Sequence, residues 1–200
     1  MPNLYLVNFA AMELKEALKT ISNSLKSGEV ILCPTDTIWG LSCDATNVDA
    51  VNKIIDLKGR DQTKSFIVLV NSYRMINQIF KEIPDVAWDL IDLTEDPLTL
   101  VLDDASFVAP NVLNQDGSLG IRMIKSGSCF DILNTLNRPM VSTSANFSGQ
   151  TTPLTFEAID SDIKSKVDSI FPVELVKQNL GKPSKIIKIN RKGEISILRK

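Results

Sequence analysis

The stretch Ser65-Phe-Ile-Val-Leu-Val70 decides the fold class, because every residue after the serine is apolar. A strand with one face in water alternates apolar and polar residues, whereas a strand covered on both faces is apolar almost throughout. We therefore expect this segment to be a buried strand, with helices packed on both faces of its sheet. The stretch indicates a three-layer α/β core.

Helices and strands alternate on either side of this strand. Upstream, apolar spacing and capping residues predict a helix over 11–27, a strand over 29–33 and, after a loop, a helix over 47–59. Downstream, the patterns predict helices over 72–80, 85–93 and 129–137, and strands over 98–102, 119–123, 140–143, 173–177, 185–189 and 194–198. We therefore predict an α/β fold with a twisted, mixed parallel and antiparallel sheet and helices packed around it.

The composition is that of one folded domain. The chain has 200 residues, of which 44% are hydrophobic and 23% charged, which excludes wholesale disorder. We expect one domain over residues 1–200, with a core over about 10–160, a β-rich basic tail over 170–200 and no further C-terminal domain. The sequence has neither a long apolar run nor a signal peptide, so we expect a soluble, cytoplasmic protein.

Charge is distributed unevenly along the chain. The formal net charge of −2 excludes a protein that holds nucleic acid through its overall charge, so any anion site must be local. In the tail, however, the side chains of residues 177–200 sum to +7. Two interpretations stay open there: a solvated edge hairpin protected by lysines, and a surface that contacts nucleotide or RNA phosphates.

The chain contains no histidine, which excludes Ser-His-Asp and Cys-His nucleophiles and the usual general base. The three cysteines, Cys33, Cys43 and Cys129, lack the spacing of a zinc site and are expected to be buried thiols. The glycine patterns of P-loops and dinucleotide-binding turns are absent as well. Catalysis by this chain would therefore rest on charge and positioning.

Three segments place polar side chains where predicted elements end. In Cys33-Pro-Thr-Asp-Thr-Ile-Trp-Gly-Leu41, a strand delivers hydroxyls, a carboxylate and an indole into a loop, where Asp36 could instead cap backbone amides. Lys58-Gly-Arg60 and the nearby Lys64 suit either a helix C-terminus or a triphosphate. In Met140-Val-Ser-Thr-Ser-Ala-Asn-Phe-Ser-Gly149, a strand runs into four hydroxyls and an amide, which suits an anion or a nucleotide.

Together and in this order, the segments resemble the YrdC/Sua5 family, the threonylcarbamoyl-AMP synthases that begin the t6A37 modification of tRNA. The matching stretches are PTDTIWGL, LKGR followed by SFIVLV, PLTLVL, GIR and RPMVSTSANFSG. The resemblance covers nearly the whole chain and fits the short, YrdC-like form. It implies a concave cationic cavity that binds ATP, L-threonine and bicarbonate, with Mg²⁺ accompanying ATP.

The resemblance also implies roles for individual residues. The ATP phosphates would be held by Lys58, Arg60 and Lys64, and the nucleotide would be fixed by Ser144 and Asn146. Lys58, Arg60, Ser144 and Asn146 form the implied catalytic set. Further nucleotide contacts would come from Ser118, Thr152, Ser184 and Arg199. The threonine pocket would comprise Thr35, Thr37, Arg122, Ser142 and Thr143, with Arg122 pairing with the amino-acid carboxylate.

The implied reaction agrees with the missing histidine. Threonine's amine attacks CO2 or bicarbonate, and an oxygen of the resulting carbamate attacks the α-phosphorus and displaces pyrophosphate. This transfer needs alignment and neutralisation of phosphate charge rather than a covalent intermediate. The proton acceptor for the amine stays open between solvent and a phosphate oxygen.

The chain departs from the family pattern at positions that bear on threonine selectivity. Leu69 stands where the family often has histidine, Ser65 where it has proline, and Lys185 where it has threonine, while Glu95-Asp96 adds charge to a usually neutral turn. Two alternatives follow: a YciO-like paralogue with altered or weak synthase activity, and a module that binds double-stranded RNA or tRNA. For a synthase, downstream threonylcarbamoyl-transfer proteins would be partners; no membrane contact is expected.

Overall fold

The computed structural model describes residues 4–59, 66–177 and 181–200, with side chains from residue 13 onward. The helices in these ranges are α1 (Leu4–Lys26), α2 (Val48–Lys58), α3 (Tyr73–Ile79), α4 (Asp85–Leu93), α5 (Gly127–Leu136) and α6 (Ser161–Lys166). The strands are β1 (Ile31–Pro34), β2 (Trp39–Asp44), β3 (Ile67–Val70), β4 (Leu98–Leu102), β5 (Leu119–Met123), β6 (Met140–Ser144), β7 (Ser169–Ile170), β8 (Lys185–Ile189) and β9 (Ile195–Arg199). Short 3-10 turns cover Pro110–Val112 and Val173–Leu175.

The strands form one mixed sheet in the order β7-β1-β2-β6-β3-β5-β4-β8-β9. The pairs β1/β7, β3/β5 and β4/β8 are parallel, and the other neighbours are antiparallel. The apolar strand β3 lies at the centre of this order. Val68 and Leu69 point to opposite faces of the sheet, and both are fully buried, so the sheet is covered on both sides here. The α/β fold and its mixed sheet are confirmed.

Capping residues set the ends of α2. The side chain of Asn47 accepts hydrogen bonds from the backbone N–H groups of Asp49 and Ala50, both at 3.0 Å. Gly59 adopts the left-handed conformation (φ 55°), and its N–H closes the last turn. The helix therefore ends at Lys58, as the sequence predicts, and this fixes where the Lys58 ammonium can reach.

Strand β2 lies in a segment that was expected to be a loop. Its sequence, Trp-Gly-Leu-Ser-Cys-Asp, lacks the apolar run of a buried strand, yet all six residues are buried between β1 and β6. The polar residues are tolerated because they have partners. Asp44 accepts hydrogen bonds from Thr46 and pairs with Arg138 at 2.8 Å, and Ser42 accepts one from the Cys33 thiol.

The predicted strand over 173–177 is wrong, because Val173–Leu175 forms a 3-10 turn directly after Pro172. Helix α6 and the short strand β7 lie where no element was predicted. Cys33, Cys43 and Cys129 are buried free thiols, as expected. No helix within the described ranges is long and apolar enough to cross a lipid bilayer.

Candidate active site

A cavity of about 310 Å³ opens over one face of the sheet. Its floor consists of strand residues that the registers bring side by side: Ile67 lies beside both Ser142 and Gly120, and Gly120 lies beside Val101. Strand β3 and the two hydroxyl-rich segments, 33–41 and 140–149, therefore meet at this cavity, although they are far apart in the sequence.

Two glycines at the floor of the cavity allow neighbouring backbone and side-chain atoms to approach closely. A methyl group on Gly40 would lie 2.4 Å from Ser142 Oγ and 3.2 Å from the carbonyl oxygen of Thr143. A methyl group on Gly120 would lie 3.2 Å from the carbonyl oxygen of Phe66. Neither glycine has a positive φ, so these positions require glycine because of close packing rather than backbone conformation.

The loop between β1 and β2 is held by its own threonines. Thr35 Oγ1 accepts hydrogen bonds from the backbone N–H groups of Thr37 and Ile38, and it donates to the Ile38 carbonyl at 2.7 Å. The hydroxyls of Thr35 and Thr37 are 2.8 Å apart. Thr35 therefore caps this loop through its hydroxyl, and the Asp36 carboxyl also lies close to two backbone N–H groups, its own and that of Thr37.

The charged partner of Asp36 is Arg122, on strand β5. Its Nη2 lies 3.0 Å from Asp36 Oδ1 and donates to Thr37 Oγ1 at 3.2 Å, while its Nη1 reaches Thr99 Oγ1 at 3.5 Å. Burial raises the pKa of the Asp36 carboxyl above its usual value, and the Arg122 guanidinium opposes this rise. Arg122 itself is 5% exposed and lines the cavity.

A second arginine enters the cavity from the edge strand β9. The Arg199 guanidinium donates through Nε and Nη2 to the Ser184 carbonyl at 2.9 and 2.8 Å, and Ser184 Oγ lies 2.8 Å from Thr99 Oγ1. Burial, and secondly the charge of Arg122, lower the pKa of Arg199. Within the described ranges, Arg122 and Arg199 are the charged residues that line the cavity, and both are cations.

Lys58 supports the loop after β6. Its ammonium donates to the carbonyls of Ser144 and Asn146 at 2.5 and 2.6 Å, and its own carbonyl accepts from Ser148 N–H. The Asn146 side chain accepts from the Ser144 hydroxyl and donates to the Gln150 carbonyl at 2.7 Å. Lys58 and Asn146 therefore shape the loop that presents Ser144 to the cavity.

Most of the predicted site residues meet in this cavity. Nine line it: Thr35, Thr37, Arg122, Ser142, Thr143, Ser144, Thr152, Ser184 and Arg199. Lys58 and Asn146 lie behind its wall, and Ser118 lies in a turn where it donates to Asp116 at 2.6 Å. The predicted phosphate ligands Arg60 and Lys64, and also Ser65, lie outside the described residues.

The sequence did not indicate the roles of Asp36 and Thr99. Both stand in stretches that match the family, PTDTIWGL and PLTLVL, but only the folded chain shows that each contacts Arg122. Trp39 forms another part of the wall, with its ring 4.8 Å from that of Phe156.

Comparison with known proteins gives the family. The model of the Sua5/YciO/YrdC family, described as "Telomere recombination", matches residues 23–200. The chain belongs to this family. A Hahella chejuensis protein named threonylcarbamoyl-AMP synthase is 32% identical over 81% of this chain and 88% of its own length. A Vibrio parahaemolyticus protein of the same name is 30% identical over 83% of this chain and 90% of its own length.

Solved structures of the Sua5/YciO/YrdC family share the fold. Pyrococcus abyssi Sua5, solved in complex with L-threonine, superposes with a TM-score of 0.78 at 26% identity. The match covers 86% of this chain but 50% of the other, so this chain spans about half the length of that Sua5. Escherichia coli YciO superposes with a TM-score of 0.75 over 92% of this chain and 88% of its own; at 20% identity it supports the fold alone.

Proposed function

We propose that this protein is an L-threonylcarbamoyladenylate synthase, a nucleotidyltransferase. It would convert L-threonine, bicarbonate or CO2, and ATP into threonylcarbamoyl-AMP and pyrophosphate for the t6A37 modification of tRNA. The observation that carries the proposal is the single cavity in which Arg122, Arg199 and seven of the predicted hydroxyl residues meet. The named synthases among its relatives support the same reaction.

The amino acid is proposed to bind at the end of the cavity formed by the β1–β2 loop. There Arg122 is buried beside Thr37, and Thr35, Ser142 and Thr143 line the same cavity. A guanidinium pairs with a carboxylate through two parallel hydrogen bonds. The hydroxyls around it offer donors and acceptors to the amine and the side-chain hydroxyl of threonine.

The nucleotide is proposed to bind along Ser144, Thr152, Ser184 and Arg199, which line the cavity on its other sides. Lys58 and Asn146 hold the loop that carries Ser144, and the Lys58 ammonium adds positive charge behind it. From the sequence, Arg60 and Lys64 follow closely after α2, and we propose that they hold the phosphates. We propose that Ser118 makes a more distant contact with the nucleotide.

Alignment and charge neutralisation are the chemistry that these residues supply. The threonine amine forms a C–N bond with CO2 to give a carbamate, and its proton leaves to solvent or to a phosphate oxygen. A carbamate oxygen then bonds to the α-phosphorus as the bond to pyrophosphate breaks. Arg122 holds the carboxylate end, and the cations hold the phosphates in line, so no covalent protein intermediate is needed.

Mg²⁺ is proposed to arrive with ATP rather than in a site built by the protein. The described residues contain no group of three or more His, Cys, Asp or Glu side chains placed to bind a metal ion. Mg²⁺ is commonly held by substrate phosphates and one or two carboxylates. When bound, it would neutralise part of the phosphate charge.

Incorporation of labelled bicarbonate tests this proposal. With ¹³C-bicarbonate, L-threonine and Mg-ATP, we expect a product with the mass of threonylcarbamoyl-AMP that carries one label. Omission of threonine should abolish the product. ATP hydrolysis without labelled adenylate would contradict the proposal and favour a YciO-like paralogue with altered chemistry.

The basic tail gives less support to an RNA-binding module. Lys182 and Lys185 both pair with Asp96, at 3.4 and 3.3 Å, and Lys188 pairs with Asp116 at 2.8 Å. Arg191 pairs with Asp104. Lys177 pairs with Asp131 as well, so five of the tail's eight cations have ion-pair partners in their own chain, as expected for a solvated edge hairpin. Stabilisation by RNA alone, without any by Mg-ATP, would reverse this preference.

Delivery of the product to tRNA requires partners. We propose that a separate threonylcarbamoyl-transfer protein takes up the adenylate, because the described cavity of about 310 Å³ is sized for small molecules. Direct contact with tRNA or double-stranded RNA remains the second role to test. Modification of tRNA by this protein alone would contradict the need for a transfer partner.

A further inference from the structure

We propose that Asp36 is a positioning residue that fixes the Arg122 guanidinium in the cavity and so sets the affinity for the amino acid. The inference rests on the proposed function, which gives Arg122 the substrate carboxylate. It concerns a residue that would touch no substrate.

Arg122 is a buried cation with one anionic neighbour among the described residues. Its side chain is 6% exposed, that of Asp36 is 19% exposed, and the two charged atoms lie 3.0 Å apart. The other groups around the guanidinium are the neutral hydroxyls of Thr37 and Thr99. Arg199 enters the same cavity and has the same charge, which increases the need for a counter-charge. Asp36 therefore supplies the compensation that a buried guanidinium requires.

Asp36 approaches from the side away from the large cavity. Thr35 and Thr37 line that cavity, whereas Asp36 lines a separate cavity of about 80 Å³, together with Pro97, Met123 and other neighbours. A substrate in the large cavity would therefore meet the guanidinium and not the carboxylate. Asp36 acts through Arg122, which makes it a positioning residue rather than a substrate ligand.

The remaining N–H donors of Arg122 could bind an anion. Nη2 forms the ion pair with Asp36 and donates a hydrogen bond to Thr37, and Nη1 makes a long contact of 3.5 Å with Thr99. Nε is buried and has no hydrogen-bond partner. A buried donor without a partner is uncommon, because it loses its hydrogen bond to water on burial. A carboxylate bound at Arg122 would supply the missing acceptor.

The kinetic test compares Asp36→Asn with the control Asp131→Asn. Asp131 also forms an ion pair, at 3.2 Å with Lys177, but it lines neither cavity. We expect Asp36→Asn to raise the KM for threonine by about tenfold, about 1.4 kcal/mol of binding, and to leave ATP affinity within about twofold. Asp131→Asn should change neither. An unchanged threonine KM, or an equal loss for both substrates, would overturn the proposal.

A second readout does not depend on catalysis. The chain has six arginines, so their Nε–H signals can be resolved by NMR, and Arg122→Lys identifies the signal of Arg122. In Asp36→Asn we expect this signal to shift and to exchange with water about tenfold faster, with no change in Asp131→Asn. An unchanged Arg122 signal would overturn the proposal even in an enzyme without synthase activity. A wild-type enzyme without threonine-dependent turnover would instead contradict the proposed function.

The charge-preserving variant Asp36→Glu covers the case in which Asp36→Asn does not fold. Its longer side chain keeps the counter-charge but displaces the guanidinium, so we expect a smaller rise in threonine KM at unchanged ATP affinity. Circular dichroism and thermal unfolding establish folding for each variant. If neither Asp36 variant folds, Asp36 is a structural residue and the proposal is wrong.

Discussion

At the scale of the residue, Arg122 connects strand β5 to the groups that line the cavity. It stands on β5, across from Leu69 on β3, and its guanidinium reaches Asp36, Thr37 and Thr99. The family resemblance predicted that Arg122 belongs to the site, and the structure places it in the cavity. Its partners were not predictable, because sequence spacing does not show which carboxylate will approach a given cation.

We expect Arg122→Lys to raise the KM for threonine by at least about tenfold while ATP binding is kept. An ammonium cannot form the paired hydrogen bonds that a guanidinium makes with a carboxylate. Arg138→Lys is the matched control, because Arg138 also pairs with an aspartate, the buried Asp44, but lies outside the cavity and has half of its side chain exposed. Calorimetry with ATP and kinetics with threonine separate the two effects. Equal loss of both would make Arg122 a phosphate ligand or a structural residue.

The selectivity of the protein among amino-acid substrates tests whether the hydroxyls of Thr35, Thr37 and Ser142 recognise the threonine side chain. A site that hydrogen-bonds the substrate hydroxyl discriminates strongly against analogues that lack it, whereas loss of a methyl group costs only about 1 to 3 kcal/mol. We therefore expect valine to be used much less than serine, relative to threonine. Leu69 is fully buried beside Arg122 and supplies no polar contact. Comparable rates for threonine and valine would contradict hydroxyl recognition.

At the scale of the element, β2 shows where sequence patterns stop being informative. The boundaries of α4, β4, β5 and β8 agree with the predicted ones, because each has a regular apolar pattern between clear turn residues. β2 carries Gly40, Ser42 and Asp44, and it becomes a strand because both of its neighbours in the sheet pair with it. The missing information was tertiary: the hydrogen bonds that make its polar residues acceptable in a buried strand.

Gly40→Ala should damage the sheet and the cavity together. The added methyl group would lie 2.4 Å from Ser142 Oγ, so β2 and β6 would move apart or Ser142 would rotate. We expect a loss of about 1 to 3 kcal/mol in the free energy of unfolding, measured with urea. The double variant Gly40→Ala/Ser142→Ala should recover part of this loss, because the hydroxyl is gone. Full stability of Gly40→Ala would contradict the close approach of these strands.

At the scale of the whole molecule, the core shields every thiol of the chain. Burial raises the pKa of Cys33 from 9.0 to about 12 and also raises the pKa values of Cys43 and Cys129. We therefore expect no reaction with a thiol reagent at pH 8 in the folded protein and three labels after unfolding. Mass spectrometry gives the count. Labelling in the folded state would contradict this core packing.

The raised pKa of the Cys33 thiol makes the free energy of unfolding decrease at alkaline pH. The unfolded thiol of Cys33 ionises near pH 9, whereas the folded one keeps its proton to about pH 12. This contribution to stability is therefore complete below about pH 9 and is lost as the pH rises toward 12. Replacement of Cys33 by alanine should reduce this alkaline loss in urea titrations, and an unchanged pH profile would contradict it.

The convergence of distant segments is the molecular feature that sequence analysis predicted least directly. The order of the elements predicted the α/β class, and nine of the site residues that the family resemblance predicted line the cavity. Neither showed that Lys58 and Asn146 would hold the loop after β6 from behind the cavity wall. Such support depends on which backbone carbonyls face the ammonium, and this is decided only when the strands pair.

The proposed synthase activity depends above all on threonine-dependent release of pyrophosphate from Mg-ATP in the presence of bicarbonate. We expect release that requires all three substrates in the wild-type protein and that needs much more threonine in Arg122→Lys. A folded wild-type protein that binds ATP but releases no pyrophosphate in response to threonine would contradict it.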